Sequence, residues 1–328
     1  TIWLAMLVCN VGTMIQAVSA AWLMTQLTDS HLLVTLVQAS TAVPAMILGI
    51  LAGAIADNFD RRKIMFMSQI SMLILSLALA LMTWMRLTTP MSLLGMMTLL
   101  GCATALNAPA WQASIRMQVA RPVLPQAITL NVISTNLARS AGPAIGGLIL
   151  VLWNAEVGFA INTVSYLAII WVLVRWHPAP TPIDRRPIFQ AVIDGLKYVG
   201  SVQPIRRILF RVFGFALGSS PITSPMPLVA KDLLSGNATL YGSLLGAFGL
   251  GSVLAAFTST RQRLALGNEN IILLATTASA IGAATLAMVQ AKMLVLGAAF
   301  LGGYAWTTTM ATMNVGIQMR ADEWVLGR

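Results

Sequence analysis

Charge is scarce in this chain. Of its 328 residues only 10 are acidic and 20 basic, 9% in all, where a soluble domain carries roughly a quarter. With 57% hydrophobic residues and a mean hydropathy of +0.80, that scarcity excludes an ordinary water-soluble globule. Cysteine is nearly absent. Cys9 and Cys102 both fall in apolar runs, so they offer neither a disulfide framework nor a zinc spacing and read as small packing residues. His31 and His177 lie far apart in polar stretches, with no Ser-His-Asp order, metal cluster or phosphate loop around them. Gly249-x-Gly251 is a lone glycine pair inside an apolar run and carries no nucleotide signal. The chain therefore reads as something other than an enzyme, with no metal and no organic cofactor expected.

What it does have is apolar stretches of membrane-crossing length. The expected spans are 2–26, 32–56, 63–85, 90–112, 126–153, 156–176, 204–230, 238–259, 270–289 and 292–318. They are continuous and not alternating, so they predict helices and not barrel strands. The first run is long enough to span and has no basic leader, which makes it a span and not a cleavable signal. The fold class is all-α, a polytopic membrane protein in contact with the lipid bilayer. Net charge is +10, yet its distribution argues against a nucleic-acid partner. With these spans, 16 of the 20 basic residues lie on one side, only Arg86, Lys231 and Lys292 on the other, and Arg139 inside a span. The positive-inside rule makes the Arg-rich side cytoplasmic.

Residues 177–203 open with His177-Pro178-Ala179-Pro180-Thr181-Pro182-Ile183-Asp184-Arg185-Arg186-Pro187, a poor helix and a good linker. A short surface helix is expected around 194–198. This divides the chain into an N-terminal six-helix bundle (1–176), a cytoplasmic linker (177–203) and a C-terminal bundle of four helices (204–328). Two such bundles match a two-lobed transporter built from repeats. Ten spans with abrupt ends suggest a fragment whose second bundle lacks two helices.

The densest charge lies between the second and third spans. Of the eleven residues Gly53-Ala54-Ile55-Ala56-Asp57-Asn58-Phe59-Asp60-Arg61-Arg62-Lys63, five are charged. Asp57 and Arg61 stand four apart and can pair, Asp60 is flanked by Arg61, Arg62 and Lys63, and an aspartate can also accept from exposed N–H groups at another helix's N-terminus. Gly49 and Gly53 form a ridge that a neighbouring helix could approach closely. These features suit a latch between lobes; the plainer alternative is a positive-inside turn ending in a helix-terminating acid.

Gly53-x-x-x-Asp57-x-x-Asp60-Arg61-Arg62-Lys63 resembles motif A of the major facilitator superfamily. Two further segments, Asn107-Ala108-Pro109-Ala110-Trp111-Gln112-Ala113-Ser114 and Ala138-Arg139-Ser140-Ala141-Gly142-Pro143-Ala144-Ile145-Gly146-Gly147, are similar to its transmembrane secretion effector branch, which includes the enterobactin exporter and macrolide efflux proteins. The resemblance implies a major facilitator fold of twelve helices, ten of them present here, and a monomer in a bacterial inner membrane. It also implies alternating access, and export powered by the proton gradient in place of a cofactor. Gly142, Pro143, Gly146 and Gly147 then correspond to motif C, the mark of antiporters. On its own physics the segment is a small-residue ridge beside a proline kink, which an ordinary packing helix also provides.

Arg139 admits three readings: a cavity cation serving substrate or proton coupling, a structural hydrogen-bonding residue, or a side chain snorkelling to an interface. Other polar and aromatic residues within spans are cavity candidates, namely Asn10, Gln16, Asn107, Tyr304 and Trp306. The seventh span carries Pro221, Pro225 and Pro227 and should be interrupted, as helices lining transport sites often are. All ten acids fall at loops or span ends. One buried cation and no buried anion favour a small neutral or anionic substrate, siderophore- or drug-like. The expected function is secondary active export by proton antiport. A uniporter or importer is the alternative within the class, and a receptor or membrane enzyme the alternative outside it.

Overall fold

An apolar run of twenty residues leaves the backbone no partner but itself, so it coils. The computed structural model describes residues 2–119, 123–176 and 200–318, and these are helical almost throughout. The first bundle comprises α1 (Ile2–Leu27), α2 (His31–Asn58), α3 (Arg61–Trp84), α4 (Pro90–Gln118), α5 (Leu124–Leu152) and α6 (Ala155–Arg175). The second comprises α7 (Gln203–Thr223), α8 (Met226–Leu228), a π-helical turn (Val229–Leu233), α9 (Ala238–Leu266), α10 (Asn268–Met288) and α11 (Lys292–Gln318). Most of the expected linker, including the short helix at 194–198, and the stretch 319–328 lie outside the described residues.

Local chemistry sets the boundaries. Asp60 accepts from the backbone N–H of Arg62 and Lys63 and caps α3, as short carboxylates do. Thr89 and Ser92 form a capping box at α4, with Pro90 in its first turn where no N–H is needed. Gly267 joins α9 to α10 at φ +80, a conformation that a side chain resists. α4 and α9 run past their expected ends at 112 and 259, because a helix can continue into water once basic residues replace apolar ones. The seventh span does break: α7 ends at Thr223, and a turn at Ser224–Pro225 precedes α8 and the π turn. Pro225 and Pro227 have no N–H to continue the ladder.

Among the described residues, eight helices are long and apolar enough to cross a membrane. Their outer faces carry bare hydrophobic side chains such as Leu4, Met46, Met67, Ile74, Val164 and Phe257, a surface that only lipid covers without cost. The protein is a multi-pass membrane protein. In the first bundle α1 packs on α5 and α6, α3 on α4 and α6, and α2 on α4. In the second, α9 and α10 pack on α11, and the main contact between bundles is α5 against α9.

One cavity candidate belongs to this packing. Gln16, expected to face the cavity, is 3% exposed. Its Oε1 accepts from Ser76 Oγ at 2.7 Å and from Asn162 Nδ2 at 2.6 Å, tying α1 to α3 and α6. Thr163 Oγ1 donates to Ser76 Oγ at 3.1 Å, and Asn162 Nδ2 also donates to Tyr166 Oη at 3.1 Å. A polar residue inside a span can serve another helix as well as a cavity, and composition does not distinguish them. Gln16→Leu removes an acceptor shared by two buried donors. It should lower stability by about 1–2 kcal/mol, read as a fall in the melting temperature of detergent-purified protein, with Gln16→Glu less damaging than Gln16→Leu.

Candidate transport site and its two ends

The charged turn at 53–63 sits at the Arg-rich end of the first bundle. Arg62 Nε and Nη2 donate to Leu173 O at 3.0 Å and Val174 O at 2.9 Å, satisfying carbonyls that the C-terminus of α6 leaves open. Arg61 Nε donates to Ala56 O at 3.3 Å, and its Nη1 lies 3.9 Å from Met117 Sδ on α4. Lys63 is exposed. Asp60 acts as the cap of α3. These contacts bind α2, α3, α4 and α6 into one end. The backbone of Asp57 lies in the last turn of α2, while its side chain, and so the expected Asp57–Arg61 pair, lies outside the described residues. A Cβ added at Gly49 or Gly53 would meet nothing within 4 Å, so the ridge expected to carry a close neighbour faces open space in this structure.

The motif C segment behaves differently. A Cβ at Gly142 would sit 2.5 Å from Met14 Cβ, and one at Gly146 3.0 Å from Val18 Cβ, so α5 and α1 approach backbone to backbone through this ridge. At Gly147 an added Cβ would lie 2.3 Å from Gly242 Cα of α9. There the two bundles touch at the end of the seam remote from the charged turn. Pro143 lies inside α5 on the same stretch.

These pairings place Arg139. With Met14 beside Gly142 and Val18 beside Gly146, one turn earlier sets Asn10 level with Ala138 and Arg139. At 100° per residue, Arg139 projects from the side of α5 that carries Gly142 and Gly146, turned toward Gly147. It points away from the lipid-facing Leu130, Ile133, Leu137 and Leu148. Yet Arg139 is accessible. Its register sets it on the side of α5 that faces the seam between the bundles, eight residues or about 12 Å along the helix from the Gly147–Gly242 contact. It lies near the midpoint of α5. Trp111 Nε1 donates to Asn131 Oδ1 at 2.8 Å, which fixes antiparallel α4 against α5 and sets Asn107 about one turn from the level of Arg139. Asn10 Nδ2 and Asn107 Oδ1 are both buried without a hydrogen-bond partner, an expensive condition unless something else fills it.

The second-bundle candidates are engaged with neighbours. Tyr304 Oη lies 2.9 Å from Thr258 Oγ1 and donates to Gln262 Oε1 at 2.6 Å, linking α11 to α9. Trp306 packs against Phe215 of α7 with ring centroids 5.8 Å apart. On the same helix, Thr308 and Thr309 bury hydroxyls that lack partners. Sequence reasoning passed over them because threonine in a membrane helix ordinarily bonds back to its own turn, as Thr312 does to Thr308 O.

The helices pack in two groups joined mainly by α5 against α9, and the fold is that of a major facilitator transporter. The solved structures agree on the fold. A nucleoside transporter, NupG, matches with a TM-score of 0.71 at 12% identity, over 99% of this chain and 85% of that one. A bacterial homologue of the lysosomal transporter Spinster in an inward-facing conformation matches with a TM-score of 0.63 at 14% identity, over 99% and 78%. The family model of transmembrane secretion effectors matches residues 1–328, and the chain belongs to that family. Among curated relatives, the staphyloferrin A transporter of Staphylococcus aureus is 22% identical over 70% of this chain and 58% of its own length. The enterobactin exporter of Shigella boydii is 23% identical over 87% and 68%. The chain thus spans under two thirds of the staphyloferrin A transporter's length.

Proposed function

We propose that this protein exports a small neutral or anionic molecule across a bacterial inner membrane by alternating access, with proton antiport as the driving force. The Arg-rich face is then cytoplasmic. The reading is supported by Arg139, an accessible cation near the midpoint of α5 that helical register sets on the side of the motif C ridge, about level with Asn10 and a turn from Asn107, each of which buries an unpartnered amide atom. A cation in a low-dielectric cleft attracts anions and repels lipophilic cations. The relatives named for staphyloferrin A and enterobactin make siderophores the first substrates to try. Gly142 and Gly146 let α5 lie close against α1, and the Gly147–Gly242 contact closes the seam at one end, a contact that parts when one bundle rocks against the other.

The test is efflux of enterobactin and staphyloferrin A from proteoliposomes containing the full-length protein. A pH gradient, acidic on the receiving side, should accelerate efflux several-fold. Flux indifferent to the gradient would remove antiport, and transport of lipophilic cations in preference to acids would remove the anionic cavity.

A further inference from the structure

The outer face of the first bundle carries two cations that the export reading does not use. α3 begins at the Arg-rich end, α6 finishes there, and the two helices pack side by side. On α3 the outward stripe runs through Lys63, Met67 and Ile74, all exposed and within about 40° of one another around the helix. On α6 it runs through Trp171, Val174 and Arg175, also exposed. Arg62 fixes the relative height of the two stripes, because its Nε and Nη2 reach Leu173 O at 3.0 Å and Val174 O at 2.9 Å. Lys63 and Arg175, each the next residue along its helix, therefore stand at one level. The Arg175 guanidinium lies over the Trp171 ring, 4.1 Å from its centroid, which holds that charge against the outer surface.

We propose that Lys63, Trp171 and Arg175 bind the headgroup of an anionic phospholipid, whose acyl chains lie along Met67, Ile74 and Val174. The chemistry selects that occupant. Arginine offers phosphate a planar pair of donors and lysine a compact charge. Tryptophan is the side chain that settles at the boundary between headgroups and acyl chains. Beneath the cations the stripe is apolar, which suits an acyl chain and gives a water-soluble phosphate nothing to bury. A zwitterionic lipid brings an ammonium group that two neighbouring cations repel. Asp60, one turn before Lys63, directs its carboxylate to the backbone N–H groups of Arg62 and Lys63.

Other basic residues at this end serve the protein itself. Arg62 holds the end of α6, Arg61 reaches Ala56 O and Met117 Sδ, and Arg211 pairs with Glu269 at 2.7 Å. Lys63 and Arg175 differ in standing on lipid-facing stripes of adjacent helices. Under the proposed orientation they meet the cytoplasmic leaflet, where anionic lipid concentrates and basic pockets between membrane helices take up its headgroups. The two stripes lie outside the packing of α1 with α5 and of α5 with α9, so the lipid site is separate from the seam. A headgroup held by both cations joins α3 to α6 and fastens the first bundle to that leaflet.

The test is native mass spectrometry of the full-length protein in detergent, titrated with phosphatidylglycerol or with phosphatidylcholine of the same acyl chains. Phosphatidylglycerol should bind about 25-fold more tightly, and Lys63→Gln and Arg175→Gln should each weaken it about five-fold. Lys63→Arg and Arg175→Lys keep the charge and should keep most of the affinity. Arg261→Gln removes an exposed cation from the same end of the second bundle and should change nothing. Equal affinity for the two lipids overturns the site, as does a preference that survives in the Lys63→Gln, Arg175→Gln double variant. Displacement of the lipid by about 1 mM glycerol 3-phosphate would also overturn it, by showing a site for phosphate alone. Melting temperatures without added lipid separate lost binding from lost folding, and if Arg175→Gln melts early, Lys63→Gln decides. The readout needs no transport. Lipid selectivity in a protein that fails to export defeats the proposed function and keeps the site; export without selectivity does the reverse.

Discussion

Gly303→Val should leave almost no correctly folded protein, and Gly251→Val should do the same. α9 and α11 cross with their backbones in contact, and each glycine seats the other helix. A Cβ at Gly303 would lie 1.9 Å from Phe248 O, and one at Gly251 2.0 Å from Phe300 O. Ser252 Oγ donates to Gly303 O at 3.1 Å in the same crossing, so the helices cannot part without losing a buried hydrogen bond. In lipid, association rests on such packing, because no hydrophobic force separates helix from acyl chain. A branched side chain that meets backbone cannot rotate away, and the expected cost is about 3 kcal/mol or more. Gly246 and Gly297, on the same two helices, have nothing within 4 Å of an added Cβ. Alanine at either should be neutral or slightly stabilising, since glycine costs a helix interior up to about 1 kcal/mol. Melting temperature and the monodisperse fraction in detergent check both halves. A Gly303→Val protein that melts with the parent would refute the crossing.

That contrast shows where sequence stops being legible. The apolar runs, their approximate ends and an interruption of the proline-bearing seventh span follow from backbone chemistry; the structure sets helices on these runs within a few residues at most ends, and eight of the described helices are long and apolar enough to cross a membrane. The charged turn was legible because charge is so rare here that five charged residues in eleven stand out. Which glycine touches what was not legible. Gly251 and Gly246 look alike in sequence, and only the crossing of α9 with α11 separates them. Gln16 and Asn10 lie six residues apart on α1 and are both amides inside a span. One is held by Ser76 and Asn162, and the other leaves Nδ2 unpartnered, a difference set by which neighbour each faces. His31 and Asp232 are 201 positions apart in the chain and meet only because the bundles do.

Arg139→Gln should abolish most export of an acidic substrate while leaving the protein folded. Among the described residues Arg139 has no hydrogen-bond or ion-pair partner, unlike Arg62, which holds the end of α6. A structural arginine would lower the melting temperature when replaced; an unpartnered one facing the seam should not. The expected loss is at least ten-fold in affinity for an anionic substrate, about 1.4 kcal/mol. That lies well within the attraction of opposite charges about 4 Å apart in a partly screened site. Arg139→Lys keeps the charge but not the planar pair of donors, so it should recover part of the activity toward carboxylates. Export of a neutral substrate should fall far less, since the Asn10 and Asn107 amides remain. The measurements are substrate binding and efflux for acidic and neutral analogues, alongside thermal stability. Unchanged export of acids by Arg139→Gln would show that the guanidinium plays no part in recognition. A matched loss of stability and of export for every substrate would return it to a structural role.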